Sequence, residues 1–171
     1  MADATSFNLA AGTKAERKLM ITYVNVGTTA APEWEALGAG VEDSALEFNF
    51  DEKTLTDILG ITSTTISKPQ RKQTLDPFTL RDGSDLQVKL YNIIRNERWS
   101  ELANLDMLIV HYYVGATGSF EAERFAGSAI NPKSLGGSST LDMPIDVIFG
   151  GTHTLGTAAN AAGVVTFTAA A

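Results

Sequence analysis

The chain contains no cysteine. That excludes disulfides, thiolate nucleophiles and cysteine zinc sites. Histidine is scarce: His111 and His153 are the whole supply, too few and too far apart in sequence to argue for a metal site. Positive charge is also short. Thirteen Lys and Arg face twenty Asp and Glu, a formal net charge of −7. Affinity for nucleic acid normally comes from Lys and Arg neutralising phosphates, so stable nucleic-acid binding is not expected. The acidic balance still allows a surface past which DNA slides, because like charge discourages sticking. No apolar run approaches the roughly 18 residues of a membrane span. Residues 1–18 lack the apolar core of a secretory signal, so neither secretion nor membrane binding is expected.

Motifs of chemistry are missing as well. Gly12-Thr13-Lys14 lacks the upstream glycine of a phosphate loop and follows no strand. Residues 82–85 (DGSD) lack the alternating ligands and closing Glu of a calcium loop and read as a turn leading into a helix cap. The acid pairs Glu33/Glu35, Glu121/Glu123 and Asp142/Asp146 have strand spacing, which puts both members on one sheet face. A glycosidase needs two carboxylates facing each other across a cleft. No catalytic residue, cofactor or metal ligand is assigned, and the chain is not expected to be an enzyme.

What is present is β-structure. A chain of 171 residues is one domain by length, with room for a core. Strands are expected at 19–26, 34–37, 44–50, 54–59, 62–66, 105–114, 120–130 and 140–149, with shorter ones at 78–80, 153–157 and 164–168. The 44–50 segment (SALEFNF) alternates: Leu46, Phe48 and Phe50 face one way, Glu47 and Asn49 the other. In 140–149 Leu141, Met143, Ile145 and Val147 oppose Asp142 and Asp146. The apolar set is expected to be buried. One amphipathic helix is expected at 84–96. Ser84 with Gln87 reads as a capping box, and Leu86, Leu90, Ile93 and Ile94 form the buried stripe, widened by Val88 and Tyr91. The sum is a mainly β fold with one α-helix, a β-sandwich or open barrel. Residues 67–76, carrying Lys68, Arg71 and Lys72, read as a long polar loop after the 58–66 strand. The ends, 1–18 and 158–171, read as arms.

An ordered series of short motifs resembles the major tail tube proteins of long-tailed, non-contractile bacteriophages and prophages of Gram-positive type. It comprises Asp57-Ile58-Leu59-Gly60, Pro69, Asp76-Pro77-Phe78, Lys89-Leu90-Tyr91-Asn92-Ile93-Ile94-Arg95-Asn96, His111-Tyr112-Tyr113, Ala122-Glu123-Arg124-Phe125, Met143-Pro144-Ile145-Asp146-Val147, Phe149-Gly150-Gly151-Thr152 and Gly156-Thr157. The resemblance covers residues 19–157, and the two arms carry no motif. It implies a single tail tube domain that assembles as hexameric rings stacked into a tube. Its partners would be copies of itself, the tape measure protein in the lumen, and the tail terminator and distal tail proteins at the tube ends. DNA would pass through transiently. The protein would sit in the virion after assembly in the host cytoplasm. The 60–76 loop with Lys68, Arg71 and Lys72 would reach the next ring, and Glu47, Asn49, Asp142 and Asp146 would face the lumen. Two other readings stay open. One is the inner tube of a contractile tail, a tailocin or a type VI-like apparatus. The other is a small carbohydrate-binding β-sandwich, which would want clustered exposed aromatics where only Trp34 and Trp99 are on offer.

Overall fold

A computed structural model describes residues 7–41, 44–116 and 118–170. In chain order the elements are β1 (Met20–Asn25), β2 (Trp34–Leu37), β3 (Leu46–Glu47), β4 (Glu52–Thr56), β5 (Thr62–Ile66), β6 (Lys72–Leu75), α1 (Asp85–Arg95), β7 (Leu105–Ala116), β8 (Ser119–Pro132), β9 (Ile145–Ile148), β10 (Thr152–Ala161) and β11 (Val164–Ala169). The pairings described are all antiparallel. The main sheet runs β2-β1-β7-β8-β9-β6-β3, with β10 and β11 attached through β8.

The long β8 organises this layout. Along one edge its first half pairs with β10 and its last residues with β9. Its other edge pairs with β7. The sheet therefore divides into two branches. One branch, β2-β1-β7-β8-β10-β11, curls until β11 comes near β2. Tyr23, Leu108, Val110, Ala122, Ala158 and Val165 fill the inside of that curl. The second branch, β9-β6-β3, folds over the opposite face. It encloses Val24, Met107, Ile109, Phe125, Ile130, Ile145 and Val147, and α1 completes this larger core with Leu86 and Leu90. The fold is mainly β with one helix, an open barrel rather than a closed one.

The helix forms where the sequence places it. Leu86, Leu90 and Ile93 are buried, and Ile94 is half-buried against the larger core. Val88 and Tyr91 are exposed, so the buried stripe is narrower than expected. The cap also differs. The Ser84 hydroxyl accepts from the Gln87 N–H at 3.2 Å. Gln87 does not return the bond. Its Oε1 accepts from Arg81 N and its Nε2 donates to Thr79 O. The second cap comes from β2: Glu35 accepts from the Ser84 hydroxyl and from Leu86 N. A carboxylate at a helix N-terminus is favoured by the orphan N–H groups and the helix dipole.

Three other expectations need correction. Residues 72–75 are not loop: β6 pairs with both β3 and β9, because Gln73 and Leu75 supply a buried alternating face. Within the expected arm 158–171, the described residues are not an arm. Through residue 169 they continue β10 and form β11, and small residues such as Ala158 fit the tight interior of the curl. Phe48, Phe50 and Leu141 are about half exposed, since regular pairing ends at Glu47 and β9 starts only at Ile145. Of the expected N-terminal arm, residues 1–6 lie outside the described residues. Asn8 is tied to the backbone carbonyls of Tyr112, Tyr113 and Gly115.

Candidate assembly surface

The chain between Glu47 and Lys72 leaves the sheet and makes a separate two-stranded hairpin of β4 and β5. Its ten strand residues are all exposed. Threonines dominate it because they favour strand geometry and can bond across the pair: Thr54 with Thr64 at 3.2 Å and Thr56 with Thr62 at 3.1 Å. Asp57 organises the apex, its Oδ1 accepting from Leu59 N at 2.8 Å and Ile61 N at 2.9 Å. Gly60 takes φ +77° there, a conformation glycine adopts without strain.

This hairpin carries a run of uncovered apolar groups. Leu55, Ile58, Leu59, Ile61 and Ile66 are exposed, Ile58 completely, with Phe48 and Phe50 at the root. An isolated two-stranded hairpin is marginal in water, and apolar side chains left uncovered at its apex and root make it a candidate interaction element. Strand was expected through these residues, but only Leu55 and Ile66 lie in strands, while Ile58, Leu59 and Ile61 belong to the apex turn and Phe48 and Phe50 to irregular chain. Their lack of cover was not visible, because propensity does not reveal whether a strand has a sheet to join.

The hairpin is anchored at its root by a polar clamp that sequence reading missed. Arg71 lies over the rings of Phe48 and Phe125, 5.7 and 5.3 Å from their centroids. Its guanidinium bonds Glu123 at 2.5 Å. Glu123 also meets His111 at 3.0 Å and His153 at 2.7 Å. Burial pushes the Glu123 carboxyl up, but the bonds from His111 and Arg71 and their charge outweigh it and hold it at about 2. The only sequence signals were the Glu121/Glu123 alternation and two isolated histidines.

A second ionic cluster lies on β6 and β9. Asp146 is 3% exposed and bonds Lys72 at 2.8 Å, Lys133 at 2.6 Å and the Thr74 hydroxyl at 2.8 Å. The lysine side chains cover it; it does not lie deep in the core. Desolvation raises its carboxyl, while the bonds from Lys133, Lys72 and Thr74 prevail and leave it at about 2.

These contacts redraw the expected sites. Arg71 and Lys72, assigned to a reaching loop, are tied to Glu123 and Asp146 of their own chain. Lys68 is exposed. Asp146, assigned to an open polar row, is buried under two lysines, because β6 pairs beside β9 and brings Lys72 to it. Asp142 accepts from the hydroxyls of Thr79 and Thr140. Glu47 is exposed opposite Lys72 in the β3–β6 register. Asn49 is exposed, and its amide donates to Gln70 O. The expected cation loop and part of the expected carboxylate row thus meet in one place. Trp34 is half-buried beside the curl's interior and Trp99 is exposed at the far end of α1, so the two do not cluster. Among the described residues no group of three or more His, Asp or Glu is placed to hold a metal ion. No helix among them is long and apolar enough to cross a membrane.

No family model matches the sequence, and no curated protein matches it by sequence. Solved structures do share the fold. The sheath/tube terminator of an extracellular contractile injection system, PVC, in its extended state is similar with a TM-score of 0.50 and 11% identity, covering 85% of this chain and 99% of that one. A chain of the PVC sheath-tube complex, also in the extended state, gives 0.50 at 10% identity, covering 86% and 94%. Identities this low establish shared architecture only.

Proposed function

We propose that this protein is a non-catalytic tube subunit of a phage tail or a related injection apparatus. Copies join into hexameric rings, and the rings stack head to tail. The observation that carries the reading is the β4–β5 hairpin: exposed, apolar, and without a partner surface in its own chain among the described residues. A subunit that must hold a neighbour has a use for such an element. Exposing it on a monomer serves no stability purpose. The fold it projects from is the one shared with tube and terminator components, and the ordered motif series in the sequence points the same way.

In this reading the tube encloses the tape measure protein and later passes DNA. Terminator and distal tail proteins close its ends, and assembly takes place in the host cytoplasm. The net charge of −7 favours a lumen that does not retain phosphates. The hairpin, rather than the Lys68–Arg71–Lys72 stretch alone, makes the inter-ring contact, with Lys68 free to add a salt-sensitive bond. Exposed Glu47 and Asn49 remain candidates for the channel wall. The motif series favours a non-contractile tail, whereas the PVC relatives come from a contractile system. The second reading is therefore a tube or terminator subunit inside a sheath. Binding to a co-expressed sheath protein separates the two.

Negative-stain electron microscopy of the concentrated protein tests the proposal. Rings or tubes of uniform diameter are expected. A monodisperse monomer at the highest soluble concentration would overturn it.

A further inference from the structure

A groove of about 360 Å³ opens between the two branches of the sheet. Leu37 and Leu75 form its floor, Met20 and Val41 its walls, and Arg17 and Ala39 its rim. Its volume is in the range of small binding clefts, and its lining is mainly apolar. Arg17 donates to the backbone carbonyls of Ser44 and Met20. Those bonds fix the guanidinium at the rim, and among the described residues no carboxylate pairs with it.

The hairpin apex is the counterpart on the same molecule. Ile58, Leu59 and Ile61 project from a turn held by the Asp57 carboxylate. Three apolar side chains beside one negative charge match an apolar groove with a cationic rim. The placement fits too. β3 runs away from the groove, where Ser44 lies, toward the hairpin. β6 returns from Lys72 at the hairpin root to Leu75 on the groove floor. Apex and groove therefore lie toward opposite ends of one strand pair. The five-residue strands β4 and β5 carry the apex roughly 17 Å further out.

We propose that the Ile58-Leu59-Gly60-Ile61 apex of one copy inserts into the Leu37–Val41–Leu75 groove of a second copy. This rests on the polymer reading above and names the surface that receives the hairpin. Each copy offers one apex and one groove at opposite ends, so the contact is heterologous. In the stacked reading it repeats along the tube axis, as an open heterologous contact that builds a filament. Asp57 approaches Arg17, and the apolar side chains displace water from the groove.

Two exposed-site variants test it. Leu59→Asp spoils the apex and Ala39→Trp fills the groove rim. Both positions are exposed, so far-UV circular dichroism should match the parent. Each variant alone should need about ten- to a hundred-fold more protein to stack, the loss expected for one buried leucine. An equimolar mixture should give a two-layer species that grows no further, because one sound apex meets one sound groove. As a direct check, Leu59→Cys and Ala39→Cys are introduced together into this cysteine-free chain. Mild oxidation should then give a ladder of linked copies. Parent-like stacking by both single variants, or stacked particles that form no ladder, would overturn the groove assignment and leave the polymer reading standing. A parent chain that never assembles would overturn both.

Discussion

Gly127 and Gly151 touch where β8 changes partner. A side-chain carbon on Gly127 would sit 3.1 Å from the Gly151 Cα, and one on Gly151 would sit 1.9 Å from the Ala126 carbonyl oxygen. Both residues have positive φ, +107° and +72°. On one side of this contact β8 pairs with β10, and on the other with β9. The close approach lets the chain turn from β9 into β10 directly against β8.

Gly151→Ala should accordingly be costly. The clash is with backbone, which has little freedom to yield, and the φ is unfavourable for alanine. We expect a loss of about 2–4 kcal/mol, combining left-handed strain with overpacking, measured by urea unfolding. Gly118→Ala makes the control. Its φ is also positive, at +87°, but nothing lies near its would-be side chain, so it should lose only the strain part. Equal losses at the two sites would show that the Gly127–Gly151 contact carries no packing constraint.

Leu90 on α1 is 1% exposed and packs into the larger core. Leu90→Ala should cost about 2–5 kcal/mol as a cavity. The damage belongs to the subunit, so melting temperature should fall at protein concentrations too low for any assembly. An unchanged melting temperature would mean that the helix does not close the core.

Glu123 gives a pH signature. Its folded-state carboxyl stands at about 2, below the unfolded value of about 4.3. The unfolded chain therefore binds the proton first. The Glu123 contribution is complete above about pH 5.5, roughly a unit over the unfolded value, and is lost as pH falls toward 2. Glu123→Gln should destabilise the protein at neutral pH by about 1.5–3 kcal/mol, the range for a charge-assisted bond. The gap to the parent should shrink steadily between pH 5 and pH 2.5. A gap that stays constant across that interval would remove Glu123 as the anchor of the Arg71 clamp.

Local signals and long-range ones were not equally legible. The helix could be read because Leu86, Leu90 and Ile93 repeat at helical spacing, and Ser84 announces its start within a few residues. Glu35 could not be read as its second cap, because it arrives from a strand 49 residues earlier in sequence. Alternation identified most strands but not their partners, so the branching of β8 was invisible. Lys72 looked like loop because its neighbours are polar. It is strand because Gln73 and Leu75 find a buried face between β3 and β9. For the candidate site the difficulty was sharper. Arg71 and Lys72 carry charge, which suggested reach, but their carboxylate partners lie 52 and 74 residues further along the chain. Phe48 and Phe50 at the hairpin root looked like core and turned out to be exposed.

The decisive prediction concerns that hairpin. Ser67 N donates to Asp51 O at 2.9 Å, so the two ends of the 52–66 excursion are already hydrogen-bonded neighbours. A short Gly-Ser turn can replace Glu52–Ile66 without moving either end. The cut must stop there, because extending it through 74 would remove most of β6 and its pairing with β9. The excised residues are exposed and contribute almost nothing to either core. The melting temperature of dilute protein should therefore stay within about 3 °C of the parent, the shift that a loss of about 1 kcal/mol gives in a domain of this size. The Arg71–Glu123 clamp should survive, visible as an unchanged acid-unfolding profile. Stacking into tubes should be abolished, while isolated rings, if held by sheet edges, should still form. Full-length tubes from the shortened chain would show that the hairpin is not the stacking element and would move the search to the sheet edges at β2 and β11.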